Sequence, residues 1–503
     1  SSHALFPLLE VIQPLRSLSG HRGEMLKKSS LLIATAYLTV FFCSPVLARI
    51  TIESDVHQEI GDRRFSQSAL PNKTEISTVS RVSDAPALAP NSNSRSEHQR
   101  LREIINLQLE DLQQLVDQEA SMMTNVVRLM DRVNAQNWLS SFISAKPLNC
   151  PVKKQREWVE AIITGVENNQ LPLCQEILGL VACIISIESG FHVDPLAIDP
   201  SRGEDMSTIL DRAERDMVAK LGPLMSVPPV PNYYKIYKDK YYPMILECKT
   251  EGDVEVVAAK VVEDLKKDVA FLPDFLKSIL DKELNKVKNV VRTKGSMQLN
   301  FPRAIQVMRE RGENFTEEEL RDYMYTLNGG IDVGIAAIKP MFVQYAAMYG
   351  APGNRSWLFF VGMDYHYGPF SSRNMMEQIR IKDLSGRDIA IDGDFLNYDD
   401  SGWPSDKESE TIKAADSFLP KTGRAILFKN FLLEKYPHYI YTDTHKRILA
   451  AHQARFGPTP FAIIGDLWMG ESAQIKHGAT WKTQSYLKKL DRYLNSIPWD
   501  LFN

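Results

Sequence analysis

Ile184-Ile185-Ser186-Ile187-Glu188-Ser189-Gly190-Phe191 closes a stretch, running from Glu176, in which Ile177, Leu178, Leu180, Val181, Ile184, Ile185 and Ile187 leave almost no polar face. A segment that is apolar all round predicts a core helix rather than an amphipathic surface one. Gly190 is a plausible stop signal for it. The last charged group before that stop is a carboxylate, Glu188. Desolvation raises a carboxyl pKa, and the partial negative charge of a helix C-terminus raises it further. An acid kept protonated near neutral pH is what protonation of a glycosidic oxygen requires. The plainer alternative is a helix-ending Glu whose side chain escapes to solvent.

Around this helix the chain reads as mainly α. Lys153 to Glu167 carries Trp158, Ile162 and Val166 on one stripe, and residues 168–172 break it before the Glu188 helix. Upstream, Ile105, Leu109, Leu112, Leu115, Met122, Val126, Met130 and Val133 recur at helical spacing, predicting one long or two shorter helices between Glu103 and Val133. Downstream, helices are predicted for 205–221, 254–269, 274–291, 317–328 and 332–347. Ile379 to Ile391 alternates around Ser385-Gly386 and reads as a β-hairpin. Aromatics alternating with Lys from Asn232 to Pro243 fit either a wall of a saccharide groove or, more simply, a half-exposed hairpin. After residue 400 the pattern is helical again, with short Gly and Pro breaks.

Composition narrows the function. Of 503 residues, 44% are hydrophobic and 24% charged, ordinary for a globular protein, and the net charge of -4 offers no basic excess for binding nucleic acid. Met25 to Ala48 reads as a secretory signal: Lys27 and Lys28 are the positive region, Leu31 to Phe42 the apolar run, and Val46-Leu47-Ala48 a cleavage site before Arg49. Residues 1–24 then lie upstream of the start, and the mature chain is expected in the periplasm. A lipoprotein through Cys43 is the weaker reading, because Phe41 and Phe42 are large where small residues are the rule. No later run is long enough to span a bilayer, so at most a peripheral membrane association is expected. Cys150, Cys174, Cys183 and Cys248 remain, an even count that permits disulfides in an exported protein, with Cys183 equally readable as an apolar filler. No spacing of His and Cys points to a metal, and no cofactor is implied. Residues 49–100 are rich in Ser, Asn, Pro and charge and read as a disordered linker.

Four short motifs, in order, carry a resemblance. Glu188-Ser189-Gly190-Phe191 with Asp194-Pro195-Leu196-Ala197-Ile198-Asp199-Pro200, then Gly295-Ser296-Met297-Gln298, then Gly330-Ile331-Asp332-Val333-Gly334, then Asp364-Tyr365-His366-Tyr367-Gly368-Pro369 are similar to the elements of the soluble lytic transglycosylases. These are lysozyme-like enzymes of the bacterial envelope. The resemblance implies a lysozyme-like helical catalytic domain over 146–400 with a helical insertion at 202–294, preceded by an N-terminal helical region at 101–145 and followed by a helical C-terminal extension at 401–503. It implies cleavage of peptidoglycan glycan strands, with Glu188 as general acid and base and 1,6-anhydro-N-acetylmuramic acid ends as product. Ser189, Met297, Gln298 and Tyr365 would line the substrate. Departures are evident: the insertion itself, Asp199 in place of Ser, Gly330 in place of Asn, and His366 in place of Asn. Asp199 is a possible second carboxylate, which would make the enzyme a hydrolytic lysozyme, although Asp199-Pro200 also reads as a turn-initiating pair. His366 and His192 read more simply as packing residues, because ten scattered histidines give many accidental neighbours. A different class remains open, a degenerate module that binds glycan or scaffolds an envelope assembly.

Overall fold

The helix expected around the apolar run is present at Gln175–Glu188, and every residue from Gln175 to Ile185 is buried. Ile177, Leu178, Leu180, Val181, Ile184 and Ile185 are fully inaccessible. At roughly 1.5–3 kcal/mol per side chain, these six contribute on the order of 10 kcal/mol of gross hydrophobic stabilisation, an upper bound because the unfolded chain already buries some of that surface. The helix is enclosed by four others: Arg132–Ser144, Gln155–Asn168, Trp357–Tyr367 and Thr483–Leu494. A long helix, Leu327–Tyr349, packs across Gln155–Asn168 and Trp357–Tyr367 and completes the main core with Ile331, Ile335, Ile338 and Phe342. The computed structural model describes residues 97–123, 125–145, 148, 150–195, 207, 235–268, 291, 293–349, 354–398, 404, 408–419, 422–465 and 483–497. The signal segment, Leu196–Pro200, and the expected helices at 208–221 and 274–290 lie outside them.

The chain is mainly α. Two short strands, Thr293–Lys294 and Leu299–Asn300, pair antiparallel and are the only sheet among the described residues. The hairpin expected at Ile379–Ile391 is therefore misplaced: Ser371–Ser385 is a helix, and Gly386 ends it in the left-handed region at φ 67°. The reason lies in what that helix buries. Arg373, Asn374, Glu377, Gln378 and Arg380 are all buried on it, so polar residues occupy the inner face and erase the 3.6-residue hydrophobic period. Arg380 Nη1 donates to Glu377 Oε2 at 2.8 Å, Tyr439 Oη donates to Glu377 Oε1 at 2.9 Å, and His445 Nδ1 lies 3.0 Å from the same oxygen. Arg373 Nη1 donates to Gln344 Oε1 at 2.9 Å, and its other arm reaches the carbonyl of Glu434. This polar layer sits beside a second apolar core built by Leu101, Ile105, Ile381, Ile412, Leu427 and Ile448.

Other expectations are refined. The N-terminal periodicity resolves into Glu97–Met123 and, after a turn, Arg132–Ser144; the first helix begins inside the stretch read as linker. Of the Tyr-Lys segment, the described residues from 235 on are helical and form no hairpin: Tyr237–Tyr241 is a short π-helix running into the helix Tyr242–Leu246, and Tyr241 Oη donates to Asp264 Oδ2 at 3.0 Å. That bond ties it to the insertion helix Glu251–Asp268. Cys150, Cys174, Cys183 and Cys248 are each buried free thiols, so the permitted disulfides do not form. The C-terminal helix Thr483–Leu494 belongs to the main core, where Tyr486, Leu490 and Leu494 join the Glu188 helix. Among the described residues no helix is long and apolar enough to cross a membrane, and no group of His, Cys, Asp and Glu is arranged to hold a metal.

Burial alone would raise the Glu377 carboxyl; the His445 and Arg380 cations and their hydrogen bonds reverse this and hold it down to about 2. A depressed carboxyl contributes stability above its unfolded pKa, and that contribution shrinks as pH falls towards the folded value. Glu377→Gln should therefore cost about 3–5 kcal/mol at pH 7, by stranding buried cations. Denaturant unfolding at pH 7 and pH 3 should show the gap between mutant and wild type narrowing at the lower pH; a gap that is constant or widens contradicts the assignment.

Candidate active site

Glu188 does not escape to solvent. It is the last residue of its helix, and its side chain is only 8% exposed. The chain turns sharply after it, with Gly190 and Phe191 both left-handed at φ 58° and 62°. A left-handed Phe is strained by roughly 1–2 kcal/mol. Burial of its ring, packed edge-on against Trp158 at 5.3 Å between centroids, offsets that strain. The turn thus fixes where the helix ends and keeps the Glu188 carboxyl at the edge of the core.

The second motif is the turn of the small hairpin. Thr293 pairs with Asn300 and Lys294 with Leu299, leaving Gly295 to Gln298 as the connection. Gly295 has φ 73°, and a Cβ there would lie 2.4 Å from the Met324 carbonyl, so only glycine fits. The third motif supplies the wall behind the turn. A Cβ on Gly330 would come within 3.0 Å of the Ser296 amide nitrogen, and one on Gly334 within 2.4 Å of Met297 Sδ. This close approach accounts for glycine at Gly330, where the resembled family has Asn.

The fourth motif joins the others. Tyr365 Oη donates to the Met297 carbonyl at 2.8 Å, linking the helix Trp357–Tyr367 to the hairpin turn. The next residue, His366, brings Nδ1 within 3.0 Å of Glu188 Oε1. Asp364 on the same turn is fully buried and accepts from the backbone and hydroxyl of Ser372 at 2.8 and 2.6 Å. Burial lifts its carboxyl to about 6, against those hydrogen bonds and that of Tyr345. It locks the helix end that presents Tyr365 and His366. Burial, with the Glu188 charge behind it, pushes the phenols of Tyr365 and Tyr486 well above the ordinary tyrosine range, so both stand neutral beside the carboxyl.

The remaining sequence candidates divide. Met297 is buried, and its carbonyl accepts from Tyr365 Oη. Ser189 Oγ donates to the Ile185 carbonyl at 3.1 Å and so bonds within the end of its own helix. Gln298 departs from the expected groove-lining role: its Nε2 donates to Glu251 Oε2 at 2.9 Å and to the Gly295 carbonyl, and its Oε1 accepts from Thr293 at 2.9 Å. Glu251 opens the insertion helix, whose first turn also holds the first motif, with Glu251 N donating to the Pro195 carbonyl and Gly252 N to Asp194 Oδ1, both at 3.0 Å. The insertion thus bridges motif one to motif two. Asp199 lies outside the described residues. His366 and Tyr486 were not among the sequence candidates. His366 had one signal, its place in the fourth motif; Tyr486, about 120 positions further along, had none.

Chemically, the arrangement is a nearly dry carboxyl bordered by neutral phenols and one imidazole, suited to holding and moving a single proton. The profile of a family described as "Protein of unknown function (DUF1615)" matches residues 151–492, so the chain belongs to that family. The match takes in Glu188, the hairpin, His366 and Tyr486 alike. No curated protein and no solved structure matches the chain.

Tyr365→Phe removes the hydroxyl that ties the helix to the hairpin and leaves the Met297 carbonyl short of a donor. The unfolding free energy should fall by about 1–2 kcal/mol. Denaturant titration checks this, and an unchanged midpoint would mean that the link between the motifs carries no weight.

Proposed function

We propose that this member of the DUF1615 family is a peptidoglycan lytic transglycosylase of the periplasm, with Glu188 as its general acid and base. The observation that supports it best is convergence. Glu188, Met297 and Tyr365 come from three motifs far apart in sequence, yet the Tyr365 hydroxyl bonds the Met297 carbonyl at 2.8 Å while its neighbour His366 touches Glu188. A chance resemblance of short motifs gives no reason for them to meet.

In this reading the protonated Glu188 donates its proton to the oxygen between N-acetylmuramic acid and N-acetylglucosamine as the bond from that oxygen to C1 breaks. The carboxylate that remains takes the proton of the muramoyl 6-hydroxyl while O6 bonds to C1. A 1,6-anhydro ring results, and Glu188 is protonated again at the end. The cycle needs no water, no second carboxylate and no cofactor. The neutral Tyr365 and Tyr486 border the carboxyl without adding charge.

A second reading, a degenerate glycan-binding or scaffolding module, is favoured by one observation: the Gln298 amide is taken up by Glu251 and Thr293 instead of lining a groove. Zymography on purified sacculi separates the two. Wild type should give a clearing band, and Glu188→Gln should lower the rate by about 10²–10⁴, the usual contribution of a general acid–base group, at an unchanged melting temperature. Binding to sacculi with no release of material by wild type would favour the module.

A further inference from the structure

Tyr486 lies far beyond the last of the four motifs, yet its ring covers that of His366, with centroids 4.2 Å apart and planes within 6°. His366 Nδ1 in turn stands 3.0 Å from Glu188 Oε1, so the phenol lies on the face of an imidazole whose Nδ1 adjoins the carboxyl. The phenol ring is firmly held. Tyr486 is 1% exposed and rides on the helix Thr483–Leu494, which packs on both the Glu188 helix and the His366 helix. Thr483 at the start of that helix bonds the Gly465 carbonyl, and Leu490 is wedged against Gly362 with no room for a Cβ between them. The hydroxyl, by contrast, is unused. Tyr486 Oη is buried and has no hydrogen-bond partner among the described residues. Such a group has given up its bonds to water and received none in exchange, so it lowers stability where it stands. A phenylalanine would stack on His366 equally well without that cost.

We infer that Tyr486 is a positioning residue supplied by the C-terminal helix: its hydroxyl, unpartnered at rest, donates to the Glu188 carboxylate once the proton has left for the glycosidic oxygen. This rests on the reading of Glu188 as the acid. A protonated carboxyl has an O–H of its own to place, whereas a carboxylate only accepts and offers about four lone-pair sites, whatever else it already touches. A donor that meets charge as it develops contributes to the rate; one spent equally before and after does not. Glu188 is also the acceptor that fits. Besides burial, the groups that push the Tyr486 phenol upward are, in order, Glu188, Tyr365 and Cys183. Tyr365 already bonds the Met297 carbonyl, and a thiol accepts only weakly. A carboxylate takes a bond roughly twice as strong as a neutral acceptor does. The same push keeps the phenol protonated, so it always has a proton to donate. Contacts of this kind are often long or poorly aligned at rest and tighten during turnover.

Tyr486→Phe separates this role from packing. On sacculi its rate should fall about 10–10²-fold, the loss of one charge-assisted hydrogen bond, while the melting temperature stays level or rises. The hydrogen bond favours the ionised form of Glu188, so losing it makes the carboxyl hold its proton to higher pH, and the alkaline limb of kcat/KM should move the same way. The shift is read without any turnover by ¹³C NMR of the full chain labelled at the glutamate carboxyls, the Glu188 signal being the one lost in Glu188→Gln. A higher titration midpoint in Tyr486→Phe than in wild type is expected; an equal or lower one overturns the inference whatever the activity. A lowered melting temperature overturns it as well, because the hydroxyl would then be a structural donor. Wild type that cleaves no sacculi, with the midpoint still raised in Tyr486→Phe, would instead overturn the transglycosylase reading and leave the assignment of the donor standing.

Discussion

Everything at the candidate site hangs on one helix buried on all sides. Gln175–Glu188 has no solvent face along most of its length, so it cannot rotate or slide without stranding Ile and Leu side chains in water or colliding with Trp138 and Ile497. A Cβ on Gly179 would lie 2.7 Å from Ile497, which measures how little slack exists. Such a helix delivers its terminal residue to one place. The left-handed pair Gly190 and Phe191 then ends it abruptly, and Glu188 is left at the boundary between a dry core and the surrounding elements.

The other motifs matter because they meet at that boundary, and the contacts that join them are main-chain contacts. Gly330 and Gly334 let the helix Leu327–Tyr349 approach the hairpin turn, and Tyr365 bonds a carbonyl of that turn. The resulting geometry depends on backbone path more than on side-chain identity, which is why the substitution of Gly for Asn at position 330 is compatible with it. The insertion is woven into the same framework, since its helix Glu251–Asp268 begins by binding Asp194, Pro195 and Gln298. An insertion that leaves and returns at one point adds little closure entropy, and this one ties together the two motifs between which it was inserted.

Much of this was legible in the sequence. The buried helix, the mainly α class and the carboxylate at its end follow from apolar residues with no polar face between Glu176 and Ile187. The helix Ser371–Ser385 was illegible for a definite reason: Glu377, Arg380 and Arg373 are buried through ion pairs and hydrogen bonds with residues from distant segments, and hydrophobic periodicity is blind to such burial. The Ser385-Gly386 pair looked like a hairpin turn because a left-handed glycine serves a helix C-cap and a β-turn equally well. Tyr486 was beyond reach altogether. Its importance comes from lying against His366 after the chain has passed through the whole second core, and no local pattern encodes that.

The central claim, that the Glu188 site cleaves glycan strands without water, is tested most directly by the chemistry of the ends it makes. Purified full-length protein incubated with sacculi should release muropeptides whose muramic acid, by mass spectrometry, carries a 1,6-anhydro ring and lacks the mass of one added water. Reducing muramic ends would contradict the account in favour of a hydrolase, and intact sacculi would contradict it in favour of a module that binds without cutting.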